Sequence, residues 1–82
     1  MKYQYVPQGV CSRLIEFEVE DGKVLDLKVL GGCHGNLQGI CALVRGRQVS
    51  EVISLLNGIR CGHKPTSCPD QIAAALRQSI PN

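Results

Sequence analysis

Ile15, Phe17 and Val19 alternate with Glu16, Glu18 and Glu20, and further on Leu25, Leu27 and Val29 alternate with Asp26 and Lys28. A period of two is that of a strand with one buried face. Asp21-Gly22 between the two runs is a turn signal, so the stretch predicts an antiparallel hairpin. The pattern also argues a register. A two-residue loop at Asp21-Gly22 sets Phe17 opposite Asp26, apolar against charged. A three-residue loop through Glu20, Asp21 and Gly22 sets Phe17 opposite Leu25 and Ile15 opposite Leu27. The expected turn is therefore the longer one, a type I turn with Gly22 in the left-handed region and a bulge. That register puts Cys11 opposite Gly31, two residues from Cys33 in the sequence. "YQYV" ahead of the hairpin suggests another strand, ended by Pro7 and Gly9.

Beyond Val29 the period changes. The three glycines of "GGCHGN" mark a loop. Asn36 is placed to cap a helix over "LQGICALVRG", with Leu37, Ile40, Cys41 and Val44 as its apolar face and Gly46 as its end. Ser50 is placed to cap a second helix, "EVISLLNG", packed through Val52, Ile53, Leu55 and Leu56 and stopped by Gly58. "IRCGHKP" reads as a loop. Ser67 then caps a third helix, with Pro69 in its first turn and Asp70 as half of a capping box. Its buried stripe is Ile72, Ala73, Leu76 and Ile80. Strands followed by helices define an α+β class: an N-terminal antiparallel hairpin or small sheet of two to three strands packed against three C-terminal helices. Residues 1–82 read as one domain without repeats or a linker.

Size sharpens this picture. A domain of 82 residues buries only roughly 60% of its unfolded surface. With one Phe and no Trp there is little bulk for a core. A staple such as a metal, a disulfide or a partner subunit is the usual remedy. The net charge of +2, from 9 basic and 7 acidic residues, is too small to imply nucleic-acid or membrane binding. Apolar runs are short and "MKYQYVPQGV" has no apolar core of a leader. A cytoplasmic protein is the expectation. There, five cysteines point away from a disulfide framework and toward a metal site or redox-active thiols.

The predicted elements sort those cysteines. Cys11 and Cys33 fall at the open end of the hairpin, Cys33 in a Gly-rich loop entering a helix, Cys68 at another helix N-terminus, and Cys61 in the loop leading to Cys68. Helix N-termini favour thiolate over thiol, and thiolate is the form that binds metal or attacks. Four thiolates suit tetrahedral zinc or an iron–sulfur cluster. The alternatives are a reduced dithiol role and structural cysteines without a ligand. Cys41 shares a helical face with Leu37 and Val44 and reads as a core residue. His34 and His63 flank the candidate ligands and are secondary candidates. Arg45, Arg47, Arg60 and Lys64 read as a solvated surface rather than a binding patch.

The segment "GIRCGHKPTSCPDQ", with "GGCHGN" and "GVCSR" upstream, resembles the TSCPD-domain family over nearly the whole chain. The resemblance maps the family's cysteines onto Cys11, Cys33, Cys61 and Cys68. Where this chain has His34, proline is often found in the family. The same domain occurs at the C-terminus of some vitamin B12-dependent class II ribonucleotide reductases, so the resemblance implies an accessory or interaction module serving such an enzyme. A more distant similarity is to NifU/IscU-type iron–sulfur scaffolds, whose three cysteines correspond in order to Cys11, Cys33 and Cys68. Ser12 and Arg13 stand where those scaffolds carry an acidic residue, their Pro-Pro-Val-Lys motif is absent, and Cys61 is additional.

A complete reductase is not expected in this chain. It has no GxGxxG or P-loop, and two histidines leave little acid–base chemistry. The expectations are zinc, or in second place an iron–sulfur cluster, held by Cys11, Cys33, Cys61 and Cys68. The alternative is a metal-free Cys61–Cys68 pair that passes electrons to, or recruits, a ribonucleotide reductase. A structural domain dimerising through an exposed strand edge is the third reading.

Overall fold

The computed structural model describes residues 1–10, 12–31, 34–60, 62–63 and 65–79, with the backbone alone at His34. Three strands, β1 (Lys2–Tyr5), β2 (Ser12–Glu20) and β3 (Lys23–Gly31), precede three helices, α1 (His34–Val44), α2 (Val49–Leu56) and α3 (Cys68–Arg77). The strands form one antiparallel sheet in the order β1-β2-β3. This is the expected α+β arrangement, and "YQYV" does contribute a strand.

One face of the sheet carries Ile15, Phe17, Val24 and Leu27, all buried. Against it pack Cys41 and Val44 of α1, Val49 and Val52 of α2, and Ile72, Ala75 and Leu76 of α3. Tyr3 extends this face by stacking on Phe17, ring centroids 5.0 Å apart. The other face presents the charged residues Glu16, Glu18, Asp26 and Lys28 of the hairpin.

The hairpin register differs from the expected one. Asp21 and Gly22 both have positive φ, 53° and 75°, and Glu20 pairs with Lys23. This is a two-residue loop of the mirror-image type, whose twist matches that of the flanking strands. The clash of apolar with charged positions is removed further along. Between Glu18↔Asp26 and Val19↔Val24 the ladder shifts, so Leu25 is an extra residue on β3. The bulge sends Leu25 outward, 46% exposed, and turns Val24 inward, fully buried. Phe17 then faces Leu27 and Ile15 faces Val29. At the open end Gly31 pairs with Ser12, one residue from the expected Cys11, which lies outside the described residues.

Two helix starts also move. α1 begins at His34 rather than after Asn36, because packing of the Leu37–Cys41–Val44 stripe outweighs the weak helix propensity of Gly35 and Asn36. α2 begins at Val49 with Gln48 as N-cap and no side-chain cap bond, so Ser50 lies inside the helix. Backbone pairing sets that start. Gly46 N–H donates to Val24 C=O (2.7 Å), Val24 N–H to Arg47 C=O (2.9 Å) and Val49 N–H to Gly22 C=O (2.8 Å). The hairpin turn is thereby fastened to the α1–α2 connection. Leu55, expected in the packed face of α2, is 61% exposed, whereas Val49 takes up the buried position.

The same residues close much of the outer edge of β3. Its first residues pair with positions 46–48. Leu27 N–H is taken by Asp26 Oδ1 at 2.9 Å, and Val29 makes a backbone hydrogen bond to Cys41. Side-chain capture of edge N–H groups discourages strand addition. Among the described residues β1 has no partner other than β2, so it is the more open edge.

Candidate functional site

The first turn of α3 is built from "TSCPD". Ser67 is the N-cap: its backbone is extended and its Oγ accepts the Asp70 N–H at 3.2 Å. Pro69 lies in the first turn, where its missing N–H costs nothing. The expected capping box is not completed. The Asp70 carboxylate instead accepts the Gly58 N–H (2.8 Å) and the Thr66 hydroxyl (2.5 Å). Gly58, with φ of 85°, is left-handed after α2, which only glycine adopts without strain. The Ser67 hydroxyl in turn donates to Ile59 C=O at 2.6 Å. Two side chains of this turn therefore hold the chain at 58–59, just before Cys61 in sequence.

Two other side chains hold a second segment. Gln71, buried at 9% exposure, donates through Nε2 to Thr66 Oγ1 (3.0 Å). Its Oε1 accepts the Gln8 N–H (3.0 Å) and the Tyr5 hydroxyl (3.3 Å). Gly9 lies so close that a Cβ there would sit 3.4 Å from Thr66 Cγ2, and its φ is 70°. Beyond Cys11 in sequence, Ser12 Oγ lies 2.8 Å from Cys68 Sγ. Ser12 is also the residue opposite Gly31, two residues before Cys33. Described sequence neighbours of Cys11 and Cys61 thus meet the helix turn that carries Cys68, and Gly31, two residues before Cys33, pairs with the strand residue that touches it.

Of the expected ligands, Cys68 is the described one, half-buried as the first residue of α3. Cys11, Cys33 and Cys61 lie outside the described residues, as do Lys64, Ile80 and the His34 side chain. Among the described residues no three His, Cys, Asp or Glu side chains come together as a metal site. Cys41 is the core residue its helical spacing predicts, 6% exposed. Burial pushes its thiol pKa up, against smaller opposing effects of Arg45 and the Val29 backbone. His63 is exposed. Arg45 pairs with Asp26 at 3.0 Å and Arg47 with Glu51 at 3.5 Å, both pairs well exposed.

The residues the sequence reading passed over are Ser12, Thr66 and Gln71. Gln71 left a trace: it falls on the stripe of Cys68, Ile72, Ala75 and Leu76, and a polar residue on a buried stripe signals a required partner.

Asp70 gives the corner a pH dependence. The Thr66 hydroxyl first, and then the Gly58 N–H, lower its pKa below the ordinary 3.8. A depressed carboxylate contributes stability above its unfolded pKa and loses it as pH falls through the folded value. The stability advantage of the native protein over Asp70→Asn is therefore expected at neutral pH and should shrink as pH falls through 3.8 and below. Urea denaturation of both proteins across that range measures it, and a pH-independent difference would contradict the assignment.

No helix among the described residues is long and apolar enough to cross a membrane. No curated protein and no solved structure matches the chain. The family model for the TSCPD domain matches residues 1–80, nearly all of the 82 residues. The motif that opens α3, and whose Ser and Asp side chains fix the 58–59 segment against the helix start, is the motif after which that family is named: the chain belongs to the TSCPD-domain family.

Proposed function

We propose that this TSCPD domain binds zinc, or in second place an iron–sulfur cluster, through the thiolates of Cys11, Cys33, Cys61 and Cys68. In this reading it is an accessory module related to ribonucleotide reductase rather than an enzyme complete in itself. The observation that supports the reading is the convergence on the first turn of α3. Thr66, Ser67, Asp70 and Gln71 hold segments 58–59 and 5–9, and Ser12 meets Cys68. The donor chemistry fits zinc: four sulfurs complete a tetrahedral, closed coordination sphere, which is a structural rather than a catalytic one. Such an ion would supply the staple that a thin core calls for.

Metal analysis of anaerobically purified protein tests the proposal. About one zinc per chain is expected, falling to under about a tenth in Cys68→Ser. A colourless protein fits zinc and a brown one fits a cluster. Less than a tenth of an equivalent of any metal in the native protein, with stability unchanged by chelation, overturns it. A Cys61–Cys68 disulfide formed under mild oxidation in such metal-free protein would support the dithiol module instead.

A further inference from the structure

We propose that Ser12 is a positioning residue for Cys68, its hydroxyl donating a hydrogen bond to the metal-bound sulfur; this rests on the metal-binding reading above. The contact is 2.8 Å between Ser12 Oγ and Cys68 Sγ, and in it either atom can donate. A thiolate bound to a metal carries no proton, so there the hydroxyl must be the donor.

The fold goes to some length to make this contact. Ile15 and Phe17 point inward. Strict alternation back from them would put Ser12 on the outer face with Leu14 and Glu16. The ladder shifts between Ser12↔Gly31 and Leu14↔Leu30, so Arg13 is an extra residue on β2. This bulge reverses the alternation and turns Ser12 to the face that α3 covers. Ser12 is 5% exposed while Arg13 is exposed, and Gly31 opposite it has no side chain to compete for the space. A hydroxyl so deeply buried costs stability unless it is partnered, and the partner it is given is the Cys68 sulfur.

Hydrogen bonds to ligating sulfurs orient the ligand and draw electron density from it. Their removal typically lowers metal affinity by about 10–100-fold. The test uses full-length anaerobic protein loaded with cobalt(II) in place of zinc, with zinc affinity measured by chelator competition. Ser12→Ala is expected to weaken zinc by about 10–100-fold and to move the sulfur-to-cobalt charge-transfer band to lower energy. Ser12→Thr is expected to restore both. Ser12→Thr and Ser12→Val form a second pair that differs chiefly by the hydroxyl, for use where Ser12→Ala does not fold. Native band energy and affinity in Ser12→Ala or Ser12→Val, even with a lower melting temperature, overturn the role of Ser12 and leave the metal reading standing. A native protein that binds neither cobalt nor zinc overturns both.

Discussion

Leu76→Ala is expected to cost about 2–5 kcal/mol, the range for removing a buried leucine side chain and leaving a cavity. Leu76 is fully buried in α3, in one cluster with Ile15 and Leu27 of the hairpin and Val52 of α2. It therefore joins sheet and helices at the centre of the core. A domain of this size has a total stability of only about 4–12 kcal/mol. Loss of at least about a sixth of the folding free energy is the expected outcome, read as a lower urea midpoint with an unchanged slope. A loss below about 1 kcal/mol would mean that α3 does not pack against the sheet as described.

Gln71→Leu is the second large effect, and its origin is polar. Leucine fills nearly the same volume, so little cavity is created. What is lost is the acceptor for the Gln8 N–H and the Tyr5 hydroxyl and the donor to Thr66. Leaving such groups unsatisfied costs about 1–3 kcal/mol. The effect should be local as well as global. Amide exchange at Gln8 is expected to accelerate in the variant, while amides of the β2–β3 ladder keep their order of protection. Unchanged exchange at Gln8 would show that the 5–9 segment is held by something other than Gln71.

Most of the secondary structure was legible because its causes are local. The alternation of Ile15, Phe17 and Val19 with glutamates, the capping serine at 67 and the stripe of Ile72, Ala73 and Leu76 each act within a few residues. The errors fall where two local signals conflicted. Apolar pairing argued against a two-residue turn at Asp21-Gly22, and the chain keeps that turn by ejecting Leu25 instead. Ser50 looked like a cap, but the backbone bonds from Gly22 and Val24 to the 46–49 segment set the start of α2.

For the site, sequence alone identified the motif, the helix start at Cys68 and the core character of Cys41. Those follow from residue type and spacing. Tertiary structure decided how the corner around Cys68 is built. Ser12 meets Cys68 from 56 residues away, and Gln71 reaches Tyr5 and Gln8 from 66 and 63 residues away. The direction of Ser12 depends on one extra residue, Arg13, in a ladder whose register no period-two pattern specifies. Periodicity and capping are properties of a short stretch of chain; a bulge and a long-range hydrogen bond exist only once the partner strand and helix are in place.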